Sequence, residues 1–269
     1  MPLVSVVISC YNQEKYIADA IRSVKDQTYS DFECVIVNDG SIDNSENVIS
    51  EEIADDKRFV LLSKNNEGIC KTRNYGITNS HGKYILPLDG DDMIGNTYIE
   101  DAVKVLNSNP NIGVVYCKAE KFGKEKGLWH LPRFSMEMML VNNCIFNCAM
   151  FRKSDFDKTS GYNENMSGGA EDWDFWLSIL ECNSKVYCID KVLFFYRIKQ
   201  VSRNAALMDL ELKKELFEVM WSNHKGLYSK YCPNPVNSAV FNSVITSPEY
   251  KIGQLICKPL RYIKRLLKI

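Results

Sequence analysis

Four short apolar runs, each followed by a segment with helical character, occupy the first 108 residues of the chain, and this alternation limits the possible fold more than any other feature. The runs are LVSVVISC (3–10), FECVIVND (32–39), FVLLS (59–63) and KYILPLD (83–89). Each predicts a strand, the first suited to burial on both faces and the second also buried. Ile17, Ala20, Ile21 and Val24 fall at i, i+3, i+4 and i+7 of a first helix. Asp43 and Glu46 have the spacing of a capping box at the start of a second. A third helix is expected over 67–80 and a fourth over about 96–108. Strands and helices in this order imply an α/β fold with a mainly parallel sheet covered by helices on both faces. Ligands of such sheets bind beyond the carboxyl ends of the strands. Tyr11-Asn12, Asn38-Asp39-Gly40-Ser41 and Asp89-Gly90-Asp91-Asp92 all occupy that edge.

After a further strand, IGVVYCK (112–118), the pattern loosens, and 119–134 is expected to be a loop over the site. A second organised block runs over 135–204 and contains a helix at 172–182 with Trp173, Trp176, Leu177 and Leu180 on one face. A long helix at about 206–222 ends before Pro233 and Pro235. With 33 Lys and Arg against 34 Asp and Glu, the chain lacks the basic excess of a nucleic-acid binder. Ten cysteines are scattered without CxxC pairs, and Cys144 and Cys148 have no further ligands nearby, so free thiols are expected and structural zinc is not. His81, His130 and His224 are dispersed and read as surface or packing residues. The N-terminus has no signal-peptide pattern and no apolar run reaches the length of a membrane span, so a cytoplasmic location is expected. From Pro248 onward six basic residues face one acid. They lie opposite Ile252, Leu255, Ile256, Leu260, Ile263, Leu266 and Leu267 on a helical wheel. Residues 248–269 are therefore expected to dock on an anionic membrane surface, the rival being a terminal helix packed on the protein itself.

The usual nucleotide motifs fail. No GxGxxG follows the first strand, and the stretch from Gly76 to Gly82-Lys83 is one residue too long for a phosphate-binding loop, with Tyr84 where Ser or Thr is required. The sheet edge offers carboxylates instead: Asp39, and then Asp89, Asp91 and Asp92. Grouped carboxylates repel each other unless a cation joins them, and ligands made only of oxygen select Mg²⁺ or Mn²⁺. The run is not an EF-hand loop, because the sixth-position Gly and twelfth-position Glu are missing. A solvated acidic turn is the competing reading; the place of these residues beyond a buried strand favours the metal.

VSVVISCYNQEKYIADAIRSV, VIVNDGS, LPLDGDD and GGAEDWDFW, in this order, resemble the successive signatures of family 2 glycosyltransferases, inverting enzymes of the GT-A fold, over roughly residues 3–204. The resemblance implies a nucleotide-sugar-binding α/β half (1–118), an acceptor-binding and base-bearing half (119–204) and a C-terminal helical extension (205–269). It assigns Ser9, Tyr11 and Asp39 to the nucleoside, with Asp39 on the uracil ring. Arg73 matches a basic residue near the donor. Asp89 and Asp91 match the DxD element, Asp89 toward the ribose and Asp91 with Asp92 toward the metal on the diphosphate. Asp172 matches the general base, Glu171 being the next candidate, and a helix N-terminus is expected to keep that base ionised. Trp173 is assigned to the acceptor. YRIKQVSRN resembles a segment that closes over the diphosphate, so Arg197 or Lys199 is expected on phosphate; relatives often carry His at the position of Lys199, and metal ligation is not carried over there. The QxxRW element of processive synthases is missing.

The expected activity is a metal-dependent, inverting transfer of one hexosyl or N-acetylhexosaminyl unit in cell-surface polysaccharide synthesis. The donor would be a nucleotide sugar, first of all a UDP-sugar. The acceptor would be a glycan or lipid-linked glycan met at the cytoplasmic face of a membrane. A sugar-phosphate nucleotidyltransferase would want a basic Gly-rich loop after the first strand, and CYNQEKY is neither. A catalytically dead nucleotide-sugar-binding module is disfavoured by the presence of Asp91 and Asp172.

Overall fold

The structure, a computed structural model, describes residues 1–166, 168–182, 184–199, 210–231, 244, 246–253 and 255. The chain forms two compact units, one of Met1–Leu131 with Ile145–His224 and one of Pro132–Cys144 with Lys225–Ile269.

The first unit opens with β1 (Val4–Cys10), α1 (Ile17–Lys25), β2 (Phe32–Asp39), α2 (Ser45–Ile53), β3 (Phe59–Lys64), α3 (Ile69–Thr78) and β4 (Tyr84–Asp89). All seven residues of β1 are buried, as continuous apolar strands of a two-sided sheet must be. β1 pairs in parallel with β2 on one side and β4 on the other, and β3 extends the row beyond β2. The register sets Ser9 opposite both Val37 and Asp89, which brings the carboxyl ends of three strands to one edge. α3 lies against β1 and β2, and Gly76 allows it to lie close: a Cβ there would sit 2.4 Å from Val7 Cγ1.

The chain continues through β5 (Met93–Ile94), α4 (Tyr98–Ser108), β6 (Ile112–Gly123) and β7 (Gly127–Trp129). In the second unit, α5 (Met136–Met139) is capped by Ser135, whose Oγ accepts the Met138 N–H at 3.1 Å. Back in the first unit come β8 (Met150–Arg152), α6 (Lys153–Phe156), a 3₁₀ turn at Glu164–Met166, α7 (Glu171–Glu181), β9 (Lys185–Ile198) and α8 (Leu210–Asn223). α9 (Lys225–Tyr231) belongs to the second unit, where the Tyr228 hydroxyl donates to the Leu140 carbonyl at 2.9 Å. Among the described residues the sheet order is β3-β2-β1-β4-β8-β6-β9-β5, with β7 beside β6. β8 pairs with β4 only at Tyr84 and Ile85, stopping short of Pro87, which has no N–H to offer a neighbour.

Three expectations change. The stretch after Lys118 is no loop at its start: β6 runs on to Gly123, pairs in parallel with β9, and turns back as β7. Only one face is covered there, so the apolar run that marks the earlier strands is missing. α7 is buried nearly all round, Asp174 and Phe175 included, and not along one face. The capping box at α2 does not form: the Glu46 carboxylate accepts from Asn38 Nδ2 at 2.8 Å, while Asp43 accepts the N–H groups of Glu14 and Ser45.

No disulfide joins the described cysteines. No described helix is long and apolar enough to cross a membrane. Most of the amphipathic stretch expected to dock on a membrane, 254 and 256–269, lies outside the described residues, as do 206–209 of the long helix.

Candidate active site

Asp89, at the end of β4, is the hub of the sheet edge. Its Oδ1 accepts from Ser9 Oγ at 3.0 Å and from Arg73 Nη2 at 2.8 Å, and its Oδ2 accepts from Asn147 Nδ2 at 2.8 Å. Arg73 rises from α3 and is 2% exposed. Its Nη1 donates to Glu171 Oε1 at 3.0 Å, and its guanidinium lies 5.2 Å from the centre of the Tyr162 ring. Burial would lower the guanidinium pKa, but the charges of Asp89 and Glu171 outweigh it and hold the group firmly protonated. One buried cation thus joins the end of a parallel strand to the first turn of α7.

The turn after β4 is tight because Gly90 fits under β1; a Cβ there would meet the Ser9 carbonyl at 3.0 Å. It presents Asp91 and Asp92, whose ligand oxygens, with one of Asp89, all lie within 4.8 Å of one another. Asp92 is 1% exposed. Its Oδ1 accepts the Arg197 N–H at 2.9 Å, and its Oδ2 is buried without a hydrogen-bond partner among the described residues. Burial, then the charges of Asp91 and Asp89, push the Asp92 carboxyl well above its ordinary pKa. A buried carboxylate oxygen with no donor, beside two further carboxylates, fits a hard divalent cation. Lys199 Nζ stands 2.5 Å from Asp91 Oδ2.

Arg197 braces this turn. Its Nε donates to the Asp91 carbonyl at 2.8 Å, its Nη2 pairs with Asp19 at 2.7 Å, and its guanidinium lies between the rings of Tyr16 and Phe122 at 4.8 and 4.3 Å. The residues expected at the nucleoside line one pocket of ≈ 260 Å³, with Ser9, Tyr11, Asp39, Asn66, Gly68 and Thr72 among its walls. Tyr11 is 46% exposed there. Asp39 is nearly buried: it accepts the Glu67 and Gly68 N–H groups, each at 3.0 Å, and pairs with Lys64, so it anchors the start of α3. The turn-forming side chain at the end of β2 is Asn38, whose Oδ1 accepts the Ser41 N–H at 3.1 Å.

Asp172, the second residue of α7, is half-buried, with the Trp173 N–H on its Oδ1 at 2.8 Å. Burial and the neighbouring charge of Glu171 push its pKa up to about 6, against the pull of Arg73. Desolvation makes this carboxylate a stronger base than an ordinary aspartate while leaving it mostly ionised at neutral pH. Trp173 is buried edge-on against Phe217 of α8, with ring centres 5.2 Å apart.

The structure thus joins Ser9, Arg73, Asp89 and Glu171 in one network and Asp91, Asp92, Arg197 and Lys199 in an adjoining one. It holds Asp39 and Tyr11 at the pocket and Trp173 inside the packing. Sequence reasoning missed Asn147, Lys64 and Tyr162, which have no spacing pattern to mark them. It also missed a buried cluster behind α7. His224 meets Asp174 Oδ1 at 3.0 Å and Glu181 Oε1 at 3.1 Å. Asn163 and Asn223 donate to the two oxygens of Asp174. Burial alone would lower the His224 pKa, but Asp174 and Glu181 raise it.

Residues 5–163 match the family model described as glycosyl transferase family 2. An uncharacterised glycosyltransferase of Rickettsia typhi is 32% identical over 233 residues, covering 82% of this chain and 71% of that one. The chondroitin synthase of Escherichia coli is 28% identical over 224 residues, which cover 80% of this chain but only 31% of that protein. Among solved structures, S. aureus TarS 1–349 in complex with UDP-GlcNAc superposes with a TM-score of 0.69 at 17% identity, covering 93% of this chain and 78% of that one. That likeness establishes the GT-A fold. The family match ends before Glu171, so α7, with the expected base Asp172, lies outside it.

Proposed function

The chain belongs to glycosyl transferase family 2, and from that premise we propose that it moves one sugar from a nucleotide sugar, first of all a UDP-sugar, to a hydroxyl of a glycan acceptor with inversion at the anomeric carbon. The observation that carries this reading is the buried link from Asp89 through Arg73 to Glu171, which ties a carboxylate cluster suited to a metal diphosphate to the helix whose first turn carries a base of raised pKa. Donor recognition falls to residues 1–118, and base and acceptor to 119–204. The pocket of Ser9, Tyr11 and Thr72 receives the nucleoside, with the exposed Tyr11 ring available for stacking and Asp39 at its wall. Asp91 and Asp92 would hold Mn²⁺ or Mg²⁺, whose charge stabilises the diphosphate as it leaves. Asp172 takes the proton of the acceptor hydroxyl while that oxygen attacks the anomeric carbon from the face opposite the breaking C–O bond. Its pKa of about 6 leaves it ionised, yet basic, at neutral pH. The relatives named for chondroitin synthesis and the UDP-GlcNAc complex of TarS favour a hexosyl or N-acetylhexosaminyl donor and a role in polysaccharide synthesis. A lipid-linked acceptor would be met at an anionic membrane surface through the basic residues after Pro248.

A thermal-shift panel of UDP-, GDP-, dTDP- and CMP-sugars, with and without Mn²⁺, tests the donor. A ligand at 100 times its Kd stabilises by about 2.7 kcal/mol, so a selective rise in Tm with a UDP-sugar and Mn²⁺ is expected. No shift with any member of the panel rejects the reading. The anomeric configuration of the product, read by NMR, tests inversion.

A further inference from the structure

Two cations reach the acidic turn from the end of β9, two residues apart on the same side of the strand, and they are held very differently. Both lie over the Tyr16 ring, at 4.8 Å for Arg197 and 5.6 Å for Lys199. Arg197 is fully engaged: Asp19, the Asp91 carbonyl and two aromatic rings fix it, and its side chain is 14% exposed. Lys199 is 26% exposed and meets the Asp91 carboxylate at 2.5 Å, the same group that lies within 4.8 Å of Asp89 and Asp92. An ammonium has three donors on a flexible stem, so it can exchange a carboxylate for phosphate oxygens without moving the backbone. While it stays on Asp91, it neutralises that carboxylate and repels any divalent ion entering the cluster.

Resting on the donor reading above, we propose that Lys199 is a resident counter-cation that couples the metal to the nucleotide. Without nucleotide it neutralises Asp91 and weakens the cluster's hold on a divalent cation. When a nucleoside diphosphate enters, the ammonium turns to its phosphate oxygens and frees Asp91 for the metal. No covalent change is involved. Because coupling between two binding sites is reciprocal, the same side chain makes nucleotide affinity depend on the metal.

The test is Mn²⁺ titration followed by the electron paramagnetic resonance signal of the free ion, with and without UDP, on the wild-type chain, Lys199→Met and Lys199→Arg. Lys199→Met should bind Mn²⁺ about tenfold more tightly than wild type when nucleotide is absent, and should lose about the same factor from the tightening that UDP produces. Lys199→Arg keeps the charge and should keep the weak nucleotide-free affinity. Equal or weaker Mn²⁺ binding by Lys199→Met without UDP overturns the proposal, as does a wild-type chain whose Mn²⁺ affinity ignores UDP. A wild-type chain that binds neither Mn²⁺ nor UDP rejects the donor reading and this inference together. One that binds both, with Lys199→Met titrating identically, rejects the inference alone.

Discussion

The edge formed by β1, β2 and β4 and the region carrying α7 and β9 supply the site in opposite ways. In the first, functional side chains stand where strands end, and parallel register aligns them: Ser9 faces Asp89 because Val4 faces Tyr84. In the second, each contribution arrives from far along the chain. Arg73 meets Glu171 across 98 positions, Arg197 meets Asp92 across 105, and Arg197 meets Asp19 across 178. The first arrangement builds a binding surface from local geometry. The second ties the acidic start of α7 to it through the buried Arg73, and on the proposed function that join holds the base in place.

Substitutions can separate the two regions. The largest effect is expected at the edge, where Asp91→Ala should abolish turnover together with any response to Mn²⁺. Asp172→Asn should leave UDP and Mn²⁺ binding near wild type, by calorimetry, and lower kcat by about 10²–10⁴. The wild-type enzyme should lose kcat/KM as pH falls through about 6, because protonated Asp172 cannot accept the acceptor's proton, and this limb should vanish in Asp172→Asn. Wild-type kcat in Asp172→Asn at saturating acceptor would move the base to Glu171.

Arg73→Met strikes the join itself. It takes the cation from the buried Glu171 and the half-buried Asp89, and should cost about 3–5 kcal/mol in urea unfolding. A loss under 1 kcal/mol would mean the two regions are held together by packing alone. Asp39→Ala acts within the edge: the Glu67 and Gly68 N–H groups lose their acceptor, at about 1–3 kcal/mol of stability, and UDP binding weakens through the displaced start of α3. Unchanged UDP affinity would remove Asp39 from the pocket wall.

The smallest effect is expected behind α7. Because the folded-state pKa of His224 is raised, its contribution to stability is complete below the unfolded value of about 6.5 and fades as pH rises through the folded value. The Tm advantage of wild type over His224→Gln should therefore shrink with rising pH over that window. A constant difference would assign His224 to packing only.

How much of this was legible in the chain follows from the same division. Apolar runs announce strands, so β1 to β4, their helices and the carboxylates at their ends were readable, and the acidic start of α7 was readable through its motif; that β3 is a border strand with only Phe59 buried was not, because its apolar run looks like the others. The parallel pairing of β6 with β9 was not, because nothing local specifies a neighbour so distant in sequence. Asn147 carries no pattern, and it reaches Asp89 only because the segment that enters β8 passes beside the end of β4. The raised pKa of Asp172 was hidden for a related reason: a helix N-terminus is visible in sequence, but the burial that raises the pKa is a property of the assembled fold.

The brief pairing of β4 with β8 also bears on how the chain is made. Synthesis at about 5–20 residues per second leaves several seconds between completion of β4 and the emergence of β8. Throughout that interval β4 is the exposed border of a nascent sheet of β-branched strands, the kind of border at which unfinished chains pair with one another. Pro87 interrupts it near the middle, where a donor is missing from the row that another strand would need. The proline beyond which β8 does not pair thus also denies an incoming strand one donor of the ladder it would need.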